Sequence, residues 1–364
     1  MRILYVIEGI STPGGLERIV IDKMNALAEH QTDLHLLTVW RGHDTPPYPL
    51  DARVRRHTLD IPKPQSRLAY IPTLVRVVRS YNKALTTIKP HIIIHYRAIG
   101  ALLIGYGHTT ARTIFESHGV RWSNNHLWLY PRMERRVSTI VCLTPSDQAE
   151  YRRHHRCHDI RVIPNFTTIT PIATPDYTRK RCLFVGRLCP EKDIDRLLRL
   201  WTAISRIHPD WSLDLYGQGQ LSTHIHQQIT TNPALHNVTL HHHTTHIAAE
   251  YARGGILLLS SKTEGFPLSI LEAMQCALPV VSVDCPSGPS SLIENGVTGY
   301  CTPYHDDQAF VHAVTTLIRD TKLRSTMGQH ARQRASQYSR SHIIQQWLDL
   351  LATQIHTNPC TSSK

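Results

Sequence analysis

The sequence predicts an α/β protein of two Rossmann-like domains, each an open parallel sheet with helices on both sides, facing a central cleft. Three observations lead there. At 364 residues the chain exceeds what one ordinary core serves, taking about 150 residues per domain. Short apolar runs of strand length alternate with longer segments of helical period, the pattern of a parallel sheet covered on both faces. The alternation then stops at a Thr- and Pro-rich stretch, Pro164 to Tyr177, and restarts at Arg181.

Taken in order, the first strand falls at Arg2 to Ile7. The opening MRILYVIEGI is apolar but lacks the long hydrophobic region and small-residue cleavage site of a signal peptide, so the chain is expected to stay where it is made. A helix fits Gly15 to Glu29, a strand Asp33 to Thr38, a helix Ile71 to Ile88, and strands His91 to His95, Arg112 to Glu116 and Thr139 to Leu143. Strands follow at Arg181 to Val185, Trp211 to Tyr216, Val238 to His241, Gly255 to Leu259, Val280 to Val283 and Gly299 to Cys301. Ser341 to Ile355 reads as a terminal helix with Ile344, Trp347, Leu348 and Leu351 on one stripe, and the tail beyond it as frayed. The expected division is a domain over 1–165, a linker over 166–178, a domain over 179–340, and a helix and tail over 341–364 packing back on the first domain.

Composition narrows the function. No apolar run approaches the ~20 residues that a membrane span needs. Eight cysteines occur singly with no C-x-x-C pair, which suits reduced thiols in a cytoplasm better than disulfides or structural zinc. His241-His242-His243 and the HHRCH run from His154 to His158 invite a metal reading, but adjacent residues of a strand point to opposite faces, so no metal is expected. The formal charge is +12, and between Asp60 and Glu116 there is no acidic residue, while Lys63, Arg67, Arg76, Arg79, Lys83, Lys89, Arg97 and Arg112 fall inside. That field favours an anionic surface or ligand.

Ligands of open α/β sheets sit beyond the carboxyl ends of the strands, so the loops there carry the chemistry. Gly14-Gly15 precede a helix and would let the backbone approach a ligand closely, or form an ordinary turn; the absence of G-x-G-x-x-G removes the dinucleotide fingerprint. Gly186, Arg187 and Lys192 leave the first strand of the second half, where an arginine fork and a lysine charge suit a diphosphate, or a solvated surface pair. Gly217-Gln218-Gly219 ends the next strand. In TEGFPLSILEAMQC, Glu264 stands in a loop, Pro267 suits the first position of a helix running to Ala277, and Glu272 lies about 7 Å further along its axis. The N–H groups of Phe266 to Leu268 fall between the carboxylates and would seat phosphate oxygens, which a glycosidase-type acid/base pair does not explain. DCPSGPSSLIENGVTGY then reads as a loop close to a ligand, a helix start and a turn.

Together these segments resemble glycosyltransferase family 4, the retaining family with the GT-B fold. The resemblance runs over the Gly14-Gly15 loop, VGRLCPEK at Val185 to Lys192, YGQG at Tyr216 to Gly219, SSKTEGFPLSILEAM at Ser260 to Met274 and the CPSGPSSLIENGVTGY loop; the Glu-x7-Glu spacing is its most specific part. It implies a nucleotide diphosphate sugar donor held mainly by the second domain. Arg187 and Lys192 would neutralise the diphosphate, Glu264 would bind hydroxyls of the sugar and Glu272 the ribose. Gly14, Gly15, Gly217, Gly265, Phe266, Pro267 and Leu268 would lie against the donor, and His118 in FESHGV would stand near the transferred sugar. The resemblance implies no cofactor and no metal, and D-x-D is absent.

UDP is the expected nucleotide, because the Cys-Pro-Ser-Gly-Pro loop resembles members that build bacterial surface glycans, with a glycan or lipid-linked acceptor. The resemblance leaves Trp40 to Ile88 unmatched. There Ile71, Leu74, Val75, Val78 and Leu85 form an apolar stripe with Arg76, Arg79 and Lys83 on another face, expected to meet an anionic membrane or a lipid-diphosphate acceptor at the inner face of the membrane; the plain alternative is packing on the sheet. Rival functions on the same fold are a sugar-nucleotide epimerase, a phosphorylase, or an inactive basic binding protein. No nucleic-acid motif supports the last.

Overall fold

A computed structural model of the chain describes residues 1–10, 14–30, 32–42, 48–119, 127–154, 157, 159–242, 244–286 and 288–356. The chain divides into two compact units, one of Met1–Asn165 with the chain from Ser341 onward, the other Phe166–Arg340.

The first unit carries seven strands: β1 (Arg2–Ile7), β2 (Asp33–Trp40), β3 (Arg55–Ile61), β4 (Ile92–Tyr96), β5 (Arg112–Glu116), β6 (Thr139–Cys142) and β7 (Ile160–Val162). They form one parallel sheet in the order β3-β2-β1-β4-β5-β6-β7, with Tyr5 opposite Ile94 and Ile94 opposite Ile114 in register. The second unit carries β8 (Arg181–Val185), β9 (Ser212–Tyr216), β10 (Val238–His241), β11 (Ile256–Leu259), β12 (Val280–Asp284) and β13 (Gly299–Pro303), parallel in the order β10-β9-β8-β11-β12-β13. Each order turns back on itself around its first strand, the doubly wound arrangement expected. Helices cover the faces. Leu4, Val6, Ile93 and Phe115 meet Val77, Tyr81 and Leu85 in one core; Phe184, Leu213, Leu215 and Leu258 meet Trp201, Phe310 and Leu317 in the other. Each such burial stabilises by about 1.5–3 kcal/mol before entropy is counted.

Several expectations need correcting. β3 and β7 were not foreseen: both are edge strands, β3 (RRHTLDI) mostly polar and exposed, β7 three residues long. The segment expected as a linker packs on the second unit, where Tyr177 donates to the carbonyl of Ala277 at 2.7 Å and Asp176 N–H to that of Ala252 at 3.1 Å. The helix expected from Ile71 begins at Arg67, because Ser66 caps it by accepting from Ala69 N–H. That earlier start fits a different stripe: Val77, Tyr81, Leu85 and Ile88 are buried and Leu74 and Val78 half-buried, while Ile71 and Val75 join Leu68 on the exposed side. The last helix, Arg340–His356, buries Ile343, Ile344, Trp347, Leu350 and Leu351, with Leu348 half-buried. Among the described residues no helix is long and apolar enough to cross a membrane. His155, His158, His243 and the tail fall outside the described residues.

Candidate functional site

In the second unit, the loops leaving β8 and β11 are stitched together. The Ser260 hydroxyl donates to the carbonyls of Lys192 (3.1 Å) and Asp193 (3.0 Å), and Lys262 N–H donates to the carbonyl of Glu191 at 2.8 Å. The result brings Lys192 Nζ to 2.5 Å from Glu264 Oε1, and the Ser261 hydroxyl donates to the same oxygen at 2.6 Å. Arg187 is exposed on the same loop as Lys192; a hydrogen bond from Cys189, then the charges of Arg187 and Lys192, hold the Glu191 carboxyl below its usual range. The pair expected to face one diphosphate thus shares a loop, with Lys192 already partnered by Glu264.

Glycine is required at the approach of β8 to β9. A Cβ on Gly217 would stand 1.9 Å from the carbonyl oxygen of Gly186, and one on Gly219 2.3 Å from that of Leu188. The loop after β12 closes on Glu264, since a Cβ on Gly288 would meet the Glu264 Cβ at 2.6 Å. Pro267 is the N-cap of the helix Leu268–Gln275 rather than its first residue, and it has no N–H; its carbonyl accepts from Ile270 at 3.0 Å. The donors left by the helix start are therefore those of Leu268 and Ser269, with Phe266 before them. Gly265 is half-buried between Glu264 and Phe266, whose ring meets Tyr338 edge-on at 5.7 Å. Glu272, one helical face further in, is 4% exposed and accepts from the Tyr251 hydroxyl at 3.3 Å.

One cluster was invisible in the sequence. Arg181 bonds Asp214, the Tyr216 hydroxyl and Glu250 at once, and His241 Nε2 lies 2.6 Å from Asp214 with its ring stacked on Tyr216 at 4.5 Å. Its members come from four separate elements, so no spacing announces it. Among the described residues no group of three or more His, Cys, Asp or Glu could hold a metal ion.

In the first unit, Gly14 caps the helix Gly15–Ala28 in an extended conformation, and the Glu17 carboxylate folds back over it, 2.2 Å from where a Cβ would stand. The acid occupies the helix start that the sequence suggested for phosphate, a placement the helix dipole favours. Beyond β5, His118 Nε2 lies 2.8 Å from Glu116 Oε1, and the Lys23 ammonium lies 2.5 Å from both oxygens of that carboxylate. Burial works against the Glu116 charge, but Lys23 and His118 outweigh it and hold the carboxyl down at about 2. Burial holds His118 below its usual value despite the pull of Glu116. The Trp347 ring lies 4.0 Å from the Lys23 ammonium. Lys23 and Glu116 were missed; the available signal was a carboxylate closing an apolar strand two residues before His118.

Two doubly wound parallel-sheet units of this kind are the architecture of the GT-B fold. Residues 166–334 match the family described as Glycosyl transferases group 1 and residues 13–170 the one described as Glycosyltransferase Family 4. The chain belongs to the glycosyltransferases of this family 4 type, and it is an enzyme of the transferase class. It is 25% identical over 368 residues to the amylovoran biosynthesis glycosyltransferase AmsD of Erwinia amylovora, covering 96% of this chain and 99% of that one. Its fold matches sucrose-phosphate synthase from Thermosynechococcus elongatus with a TM-score of 0.84 at 18% identity, covering 97% and 99% of the two chains. Anabaena HepE, solved in complex with UDP and glucose, matches with a TM-score of 0.76 at 19% identity, covering 96% and 99%. The chain is related to glycosyltransferases of cell-surface polysaccharides.

Proposed function

We propose that the protein is a retaining hexosyltransferase that moves a hexose from a UDP-sugar to a glycan or lipid-linked acceptor in cell-surface polysaccharide or lipopolysaccharide synthesis. The observation that supports it most is the Lys192–Glu264–Ser261 clamp beside the start of the helix Leu268–Gln275. A cation and helix N–H groups suit the leaving diphosphate, and a carboxylate suits sugar hydroxyls. Arg187 and Lys192 neutralise the departing UDP, which makes the reaction independent of a divalent ion. Glu264 orients the hexose, Glu272 holds the ribose, and His118 meets a hydroxyl of the sugar. The acceptor attacks from the face the diphosphate leaves, keeping the anomeric configuration. HepE's complex with UDP and glucose supports the nucleotide, and AmsD supports the surface-glycan setting.

The exposed Leu68, Ile71 and Val75, beside exposed Arg76, Arg79 and Lys83, support docking of the first unit on the anionic inner face of a membrane. The donor is tested by thermal shift with UDP, GDP and ADP. UDP is expected to raise the melting temperature most, as a ligand binding only the folded state must. A larger shift with GDP or ADP overturns the nucleotide, and no shift with any of them overturns the donor site.

A further inference from the structure

None of the chemistry above uses Lys23, yet its side chain is 2% exposed and its ammonium touches both oxygens of Glu116. A charge is not buried so deeply without a partner. Glu116 in turn shares one oxygen with His118 Nε2. A carboxylate only accepts hydrogen bonds, so this contact puts the ring proton on Nε2 and the lone pair on Nδ1.

Counting charges gives Lys23 its role. With Lys23 present, ammonium, carboxylate and neutral imidazole sum to zero. Without it, the buried carboxylate has only the imidazole to balance it, and His118 would take a second proton. We propose that Lys23 and Glu116 are positioning residues for His118: their buried pair fixes the ring as the neutral Nε2–H tautomer, so that Nδ1 faces the substrate as a hydrogen-bond acceptor for a hydroxyl. This rests on the reading that His118 meets the transferred sugar.

The other groups around the ring agree. Arg97, which begins the helix after β4 with φ at 54°, opposes a positive ring, as Lys23 does, and only Glu116 favours one. The Tyr96 ring lies 5.4 Å from the imidazole, and the hydroxyls of Tyr96 and Tyr5 stay protonated because burial raises both well above their usual value. Trp347, over the Lys23 ammonium, supplies the negative face of an aromatic ring and helps keep that charge in place.

The test is the titration of the His118 ring in the full chain by 1H–15N spectroscopy, its signals identified by their loss in His118→Gln. In the wild-type protein at pH 7 the nitrogen shifts are expected to show a neutral ring protonated on Nε2. A ring protonated on Nδ1, or an imidazolium, overturns the proposal without any variant. In Lys23→Met the midpoint is expected to rise by about one pH unit or more, as it should when a buried carboxylate loses its other partner. In Lys23→Met/Glu116→Gln, which removes both charges, it is expected to return close to the wild-type value. An unmoved midpoint in Lys23→Met, or one the double variant does not restore, overturns the proposal. The underlying reading is checked apart from this: wild-type UDP-glucose turnover by His118→Gln sinks the role of His118 itself. A large loss there with an unmoved Lys23→Met titration sinks only the positioning role.

Discussion

Lys192 Nζ and Glu264 Oε1 lie 2.5 Å apart, so the cation proposed for the diphosphate and the carboxylate proposed for the sugar are partners of each other. On the proposed reading, binding would exchange one partner for another, the diphosphate drawing the ammonium and leaving the carboxylate to hydroxyls. Lys192→Ala and Arg187→Ala are each expected to lower turnover about 10²- to 10³-fold in a folded protein, the scale of losing one electrostatic contact to a developing charge. Steady-state kinetics with circular dichroism checks this, and wild-type turnover in both variants refutes the diphosphate assignment. Because the two residues act through one pair, Lys192→Ala/Glu264→Gln should cost much less than the product of the single losses.

Glu264→Gln is expected to reduce donor turnover more than Glu272→Gln. Glu264 borders two loops and the helix start, whereas Glu272 is buried and already bonded to Tyr251, and a Gln carbonyl can accept that bond. Measuring kcat/KM for the two variants decides it; the reverse order means the two roles are exchanged.

Gly217→Ala drives a methyl against the Gly186 carbonyl oxygen, backbone on backbone, with no flexible side chain to yield. A stability loss of about 1–3 kcal/mol or more is expected. Urea unfolding gives the value, and a loss under about 0.5 kcal/mol would show that the two loops separate at little cost.

His35 Nδ1 and His57 Nε2 lie 2.8 Å apart on neighbouring strands, and burial first, then nearby positive charge, holds His57 below its usual value; burial does the same to His35 against the pull of Asp33. The native state thus binds fewer protons than the unfolded chain. Its stabilising share is fully present above about pH 6.5 and is lost as pH falls toward the lowered native values. Urea midpoints are expected to drop between pH 7.5 and 5, and less so in His57→Gln. An equal drop in that variant would place the effect elsewhere.

Vesicle flotation tests whether the exposed side of the helix Arg67–Ile88 meets a membrane. The protein is expected to float with vesicles containing phosphatidylglycerol and less with phosphatidylcholine alone, with salt weakening the attraction. Ile71→Asp/Val75→Asp should reduce flotation. Indifference to lipid charge counts against docking.

The central strands were legible because they are short apolar runs between turns, and Arg2–Ile7, Arg112–Glu116 and Arg181–Val185 begin and end where the pattern says. The edge strand Arg55–Ile61 was not, since half-solvated edges carry polar residues that a hydrophobic pattern passes over. Glu264, Lys192 and Gly217 stood out because loops beyond strands draw attention to polar residues and glycines. Lys23 did not, being a lysine within an amphipathic helix whose partner is 93 residues away. The Arg181 network failed to show for the same reason: long-range pairing leaves no local period.

Trp347 lies over a charge that Lys23 brings from near the opposite terminus. During synthesis the first unit's sheet leaves the ribosome nearly two hundred residues before that ring does, and a whole second unit is made in between. The earliest part of the protein is thus the last to be finished, and an abortive product ending before Ser341 would leave the Lys23 ammonium without the aromatic ring that lies over it.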